Sequence, residues 1–209
     1  MKQIMLSLFF LLTLSAQTYA ANWTSLNPWA VHGAFGMASF PGVPNQEGQT
    51  AVGRLSLGHA LLTNALGQAG FEAGIQSGNT LHLLLPEESI EVLGGVPLKA
   101  EIKPLLDGLI GLKTRPFPGL PLITWLKGGV AYRQLQVDQL EVNHLKGFSP
   151  EIQIGLGYQI NENASINLGY QKIWGKNPEL IVDPETRTGI LRNLPEQQAL
   201  MLGVSFNFW

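Results

Sequence analysis

Ten charged side chains and four histidines are the groups in this chain with chemistry to offer. The charges are Arg54, Lys99, Lys103, Lys113, Lys127 and Arg133, with Glu72, Glu101, Asp107 and Glu151. Each sits at period two among Gly, Ser, Gln or Ala, while the alternate positions carry Leu, Ile, Val or aromatic residues. Placed on the inward face of a narrow enclosure, six bases and four acids must pair, because an unpaired ion away from water costs several kcal/mol. Such a set either lines a gated pore or fills a plugged interior. Catalysis is poorly supported. A serine nucleophile needs an adjacent base, yet Gly-x-Ser-x-Gly is absent and none of His32, His59, His82 and His144 lies in a His-x-Ser arrangement. His59 is on the face opposite Ser56, and His82 and His144 fall in long links without a neighbouring histidine, so no metal site is expected. Gly155-Leu-Gly157 lies inside a strand with no helix after it, which is not a dinucleotide fingerprint. No cofactor is expected.

Alternation at period two marks half-buried strands, and eight such stretches position these groups. They are Trp29–Met37, Val52–Leu61, Ala69–Gly78, Leu98–Lys113, Leu122–Leu135, Ser149–Ile160, Asn163–Trp174 and Gln198–Trp209. Ser149–Ile160 is the cleanest, with Ile152, Ile154, Leu156, Tyr158 and Ile160 against Glu151, Gln153, Gly155, Gly157 and Gln159. The links between them alternate. Thr63–Gln68, Thr114–Pro121 and Asn161–Glu162 are short; Ala38–Ala51, Asn79–Pro97, Gln136–Phe148 and Gly175–Gln197 are long. An up-and-down meander with all its long loops at one end is the pattern of bacterial outer-membrane barrels. A lipocalin-like barrel turns its oily face inward around a ligand, whereas here the charges share the glycine-rich face. The expected fold is therefore all-β, an eight-stranded antiparallel up-and-down transmembrane β-barrel. Its aromatics at strand ends, Trp29, Tyr132, Tyr158, Tyr170, Trp174, Phe206 and Phe208, read as interfacial girdles.

Two residues resist this pattern. Pro104 lies on the lipid-facing phase of the fourth strand and cannot donate to a ladder, so Leu98–Lys103 is expected to stand above the bilayer or to carry a bulge. Trp125 falls on the lumen phase, where so large a ring has no evident place beyond plugging the barrel near its short-turn rim. The closing strand puts Leu200, Leu202, Val204, Phe206 and Phe208 on the lipid side, which leaves Trp209 one residue out of step.

Charged residues are 13% of the chain against 45% hydrophobic, with 24 Gly, 13 Pro and no Cys. Ordinary soluble domains carry about a quarter charged residues. The net charge of −2 gives no basic footprint for nucleic acid. Without disulfides, an exported chain relies on its own hydrogen bonding, which a closed ladder supplies. At the amino end, Lys2, an apolar run from Ile4 to Leu14 and Thr18-Tyr-Ala20 make a secretory signal peptide. The expected domains are a signal peptide, 1–20, and a barrel, 21–209.

The segments 70–78 (GFEAGIQSG), 102–113 (IKPLLDGLIGLK), 127–133 (KGGVAYR) and 150–158 (PEIQIGLGY), with the terminal strand, resemble the small eight-stranded outer-membrane barrels of Gram-negative bacteria, the outer-membrane protein A-like and opacity-type surface antigens. The resemblance covers the whole mature chain but specifies the barrel more than an activity. It implies a location in the outer membrane, contact with its lipids and with the barrel assembly machinery, and a surface role, adhesin-like, with a host or environmental ligand at the external loops. In such proteins the last strand, here Leu200, Leu202, Val204, Phe206, Phe208 and Trp209, helps the assembly machinery recognise the chain. With the chain ending at that strand, the peptidoglycan-binding domain of longer relatives is not expected. The alternatives are a narrow low-conductance pore with a charged lumen and a lipid-modifying outer-membrane enzyme. The external link Asn79–Pro97, with Leu81, Leu83, Leu84 and Leu85 ahead of Glu87, Glu88 and Glu91, suits either a partner or a fold over the barrel mouth. Cleavage after Ala20 predicts that intact-mass measurement of the exported protein finds Ala21 as its first residue; retention of residues 1–20 would refute the signal peptide.

Overall fold

The computed structural model describes residues 28–43, 49–77, 80–82, 99–116, 119–137, 142–183, 185–186 and 188–208; side chains at 80–82 and 99–104 are outside this description. The proposed signal peptide, Trp209, and Leu83 to Glu91 therefore lie outside the described residues. The elements are β1 (Trp29–Ser39), β2 (Gln49–Thr63), β3 (Gly67–Ser77), β4 (Thr80–His82), β5 (Lys99–Thr114), β6 (Leu122–Val137), β7 (Leu145–Gln159), β8 (Ala164–Ile173), β9 (Glu179–Asp183), β10 (Thr188–Arg192) and β11 (Gln197–Phe208). Every neighbouring pair in the main sheet is antiparallel, β3 pairs with β5, and β11 returns to β1, so the sheet closes. β4 continues β3 along β5 in the same register, Gln76 opposite Leu105 and Thr80 opposite Glu101. The result is an eight-stranded antiparallel barrel, as the eight alternating stretches require.

Closure leaves no edge strand with unpaired N–H and C=O groups, the condition for a sheet to sit in hydrocarbon. The outward phase is an apolar band. Phe35, Leu55, Ile75, Ile110, Val130, Ile154, Leu168, Leu202 and Val204 are all exposed, and Ile110 reaches 74%. A continuous exposed apolar surface of this extent needs a covering phase, and lipid supplies it. Aromatic rings border the band. Trp29, Tyr158, Phe206 and Phe208 lie towards the short-turn end; Tyr132, which contacts Phe148 at 5.2 Å between centroids, Tyr170 and Trp174 lie in the opposite half.

Three features depart from simple alternation. The β5–β6 register slips by one between Lys103 and Leu106, so Pro104 sits at a β-bulge, where its missing N–H breaks no regular bond. A second slip, between Ala60 and Leu62 in β2, leaves Leu61 and Leu62 both exposed. The expected long link Gln136–Phe148 contracts, because β6 runs on to Val137 and β7 begins at Leu145. At 138–144 it is no longer than the short link 115–121. Strict alternation of link length therefore fails there, since those strands project beyond the apolar band.

The interior is packed by setting large side chains over glycines of neighbouring strands. Trp125 on β6 lies across Gly155 on β7 and Gly169 on β8, and a Cβ on Gly169 would come within 2.7 Å of its ring. This socket gives Trp125 its place in the lumen. A Cβ on Gly74 would meet Arg54 Nη2 at 2.6 Å and Asp107 Oδ1 at 2.9 Å, and one on Gly111 would meet Lys127 Cγ at 2.6 Å. Gly53, on the lipid face, has nothing within 4 Å of its Cβ position. Gly74→Val should cost about 1–3 kcal/mol by overpacking, against roughly 0.5 kcal/mol or less for Gly53→Val. Urea titration of the refolded protein in detergent, read by heat-modifiable gel mobility, measures both; equal effects would contradict the sockets.

Candidate functional site

The middle of the lumen holds one ionic network. Arg54 on β2 reaches across the bare backbone of Gly74 to Asp107 on β5, donating from Nε to Oδ2 at 2.9 Å and from Nη2 to Oδ1 at 2.6 Å. Its Nη1 donates to Glu72 Oε1 at 2.6 Å and to the Ser56 hydroxyl at 2.9 Å. Lys127 on β6 crosses Gly111 to donate to Glu72 Oε2 at 2.5 Å, while its ammonium lies 4.7 Å from the Trp125 ring centroid. Arg54, Glu72 and Asp107 are buried. A planar guanidinium with five donors can serve two carboxylates at once, which a lysine in its place could not.

The closing seam adds a group that strand phase alone does not single out. β1 pairs with β11 so that His32 faces Ser205 directly, and His32 Nδ1 lies 2.6 Å from Ser205 Oγ, although the two are 173 residues apart in sequence. Asn167 Nδ2 donates to the same hydroxyl at 2.6 Å. His32 Nε2 is 3.4 Å from Glu72 Oε2. Serine, histidine and carboxylate thus converge; Glu72 is also bonded to Arg54 and Lys127, and Ser205 Oγ accepts from Asn167 while its own O–H remains to donate to His32. The signal was in the inward phase of His32 and Ser205; what sequence spacing lacks is the pairing of the first strand with the last.

The remaining charges stand apart. Arg133, fully buried, donates from Nη1 to the Pro195 carbonyl at 2.5 Å and from Nη2 to Gln197 Oε1 at 3.5 Å. Glu151 accepts from Gln153 and Gln171, both at 2.6 Å, through one oxygen, and its other oxygen has no partner. Lys113 points inward at the short-turn end and joins no hydrogen bond or ion pair among the described residues. The side chains of Lys99, Glu101 and Lys103 lie outside the described residues. Of the ten charges, four therefore form one network and three sit singly. The strand expected to guide assembly presents Leu200, Leu202, Val204 and Phe206 outward, with Phe208 half-exposed.

Above the network the lumen is closed by an apolar cluster of Phe40, Val43, Leu135, Val137, Val142 and Leu191, with Leu145, Leu180 and Leu194 against it. Leu191 comes from the β9–β10 hairpin within the link 174–196, which sequence periodicity had not shown as strands. Asn143 holds the hairpin in place, accepting from the Leu191 amide at 2.5 Å and donating to its carbonyl at 3.2 Å. Below the network a cavity of about 140 Å³ opens at the short-turn end, among Pro28, Ala30, His32, Gln68, Lys113 and Asn207. Among the described residues there is no group of three or more metal-ligating side chains. His59 lies on the lipid face, between the rings of Trp29 at 4.4 Å and Phe71 at 5.7 Å.

Removing Arg54 strands the buried Asp107 carboxylate and leaves Glu72 to Lys127 alone, and breaking such a buried pair costs about 3–5 kcal/mol. The Lys172–Glu196 pair at 3.0 Å is partly exposed at the outer rim, where such pairs contribute about 0–1 kcal/mol. Arg54→Met should therefore destabilise the folded barrel far more than Lys172→Met in equilibrium urea unfolding. Equal midpoints would show that the lumen network adds nothing to stability.

No protein-family model and no curated protein matches the chain. Among solved structures it is similar to the outer membrane protein OprG from Pseudomonas aeruginosa, with 11% identity and a TM-score of 0.57 over 86% of this chain and 95% of that one. It is also similar to Neisserial surface protein A, with 13% identity and a TM-score of 0.51 over 88% of this chain and 98% of that one. At such identities the likeness concerns the fold. Closed ladder, apolar outer band and polar lumen together give this protein the fold of the small eight-stranded outer-membrane β-barrels.

Proposed function

We propose that the protein is an outer-membrane surface protein with a non-enzymatic role, interacting with a host or environmental surface through its external loops. The observation that carries this reading is the β9–β10 hairpin. On one face Leu180 and Leu191 pair and pack into the apolar cluster over the lumen. On the other, Ile181 and Ile190 pair and are exposed, 40% and 51%. The tip is braced by Asp183, which accepts from the Glu185 amide at 3.0 Å and the Thr186 hydroxyl at 2.8 Å. A hairpin anchored by one face presents the other without the ordering cost of a flexible loop. The closed ladder and the lipid-facing band support insertion into the outer membrane, and the signal peptide expected at residues 1–20 would supply export.

The narrow pore is the weaker reading, because apolar residues fill the outer mouth and the Arg54 network crosses the lumen beneath them. Planar bilayers containing the refolded protein are expected to show no discrete conductance, and conductance altered by Glu72→Gln or Arg133→Gln would replace the present reading with a pore. Cells producing the protein should sediment it with outer membranes and bind a host-cell or matrix surface. Ile181→Ser with Ile190→Ser should lose most of that binding while heat-modifiable mobility is kept. Binding unchanged by the double substitution, or absent from producing cells, would refute the hairpin's role.

A further inference from the structure

We infer that the short-turn half of the lumen is a binding site for a small oxyanion, with Lys113 as its principal cation. The inference is independent of the hairpin's role at the opposite end. The cavity below the ionic network is of the size that holds one benzene-sized molecule, about 150 Å³ in the familiar engineered case, against about 140 Å³ here. It lies at the end that carries the short turns, among Pro28, Gln68, Lys113 and Asn207, and among the described residues the apolar cluster stands at the other end of the lumen.

The charges around it do not balance. Arg54, Lys113 and Lys127 supply three cations, and Glu72 and Asp107 two carboxylates. Arg54 spends its donors on both carboxylates and on Ser56. Lys127 is committed to Glu72 and to the Trp125 face. Lys113, directly opposite Trp125 in the ladder, has no acidic partner among the described residues, and the charge it faces is that of Lys127. A half-buried ammonium beside a like charge is unfavourable, and an anion joining it relieves that cost. An anion entering there meets Lys113 and the free donor capacity of Lys127, with the Gln68 amide on the adjoining strand position. Glu72 lines the same cavity, but both its oxygens are already bonded to Arg54 and Lys127, which screens it from an incoming negative charge.

The anion is a phosphate or a carboxylate, either free or as the acidic end of a longer molecule projecting through the opening. Isothermal titration of the full mature chain in detergent with inorganic phosphate, acetate and hexyl phosphate tests this, with sodium chloride matched for ionic strength. Saturable binding of phosphate or acetate is expected, weakened at least tenfold by Lys113→Met and unchanged by Lys146→Met on the outer surface. Tighter binding of hexyl phosphate than of phosphate would identify the longer class of ligand; equal binding would identify the free ion. A second reading avoids dependence on the variant's folding: phosphate should raise the unfolding midpoint of the unaltered protein beyond matched chloride. No saturable binding and no shift, or binding that Lys113→Met leaves intact, would overturn the site.

Discussion

An eight-stranded barrel encloses little more than its own side chains, and this protein meets that limit in part by laying large inward groups over glycines of neighbouring strands. Arg54 lies over Gly74, Lys127 over Gly111, and Trp125 over Gly155 and Gly169. The arrangement fixes more than volume. With no side chain at Gly74, Arg54 on β2 can reach Asp107 on β5, two strands away. With none at Gly111, Lys127 can reach Glu72. Glycine is commonly a weak strand former; here its missing side chain is what lets charges from different strands meet.

The same packing divides the lumen into levels. Apolar residues contributed partly by the loops close the outer mouth, the Arg54 network crosses the middle, and the short-turn end keeps an open cavity. A buried network of this kind is weak evidence for stability in general, because desolvation offsets much of the attraction. It does impose specificity: Arg54 has four hydrogen bonds only when β2, β3 and β5 are in their observed register. Lipid outside and charge inside then act together, since a one-residue slip would put Glu72 and Asp107 into hydrocarbon and Ile75 and Leu106 into the lumen.

Function divides along the axis as well. In the proposed role the external loops act as a platform, to which the β9–β10 hairpin, seated by Leu191 and turned outward through Ile181 and Ile190, contributes an anchored apolar face. Lys113 lies at the opposite end of the barrel, and the oxyanion inferred there is a different class of partner from the one proposed for the hairpin. Rigid barrel between, the two ends need share no mechanism.

Period-two alternation was enough to mark the eight barrel strands and, among the ten inward charges expected, the inward positions of Arg54, Glu72, Asp107, Lys113, Lys127, Arg133 and Glu151, because side-chain direction in a regular strand follows chain position; Lys99, Glu101 and Lys103 lie outside the described side chains. It also marked Pro104 and Trp125 as exceptions. Which inward residues touch depends instead on the register between strands distant in sequence. Closure set His32 against Ser205, Gly74 joined Arg54 to Asp107, and a bulge accommodated the missing N–H of Pro104. The hairpin Glu179–Asp183 and Thr188–Arg192 was invisible for a related reason: its strands are too short for alternation to register, and Leu191 is held there by Asn143 and the apolar cluster of the mouth. Sequence by itself determined the direction in which side chains of the regular strands point; only the closed barrel decided where bulges shift that phase and what each side chain meets, because both depend on strand pairing across the whole chain.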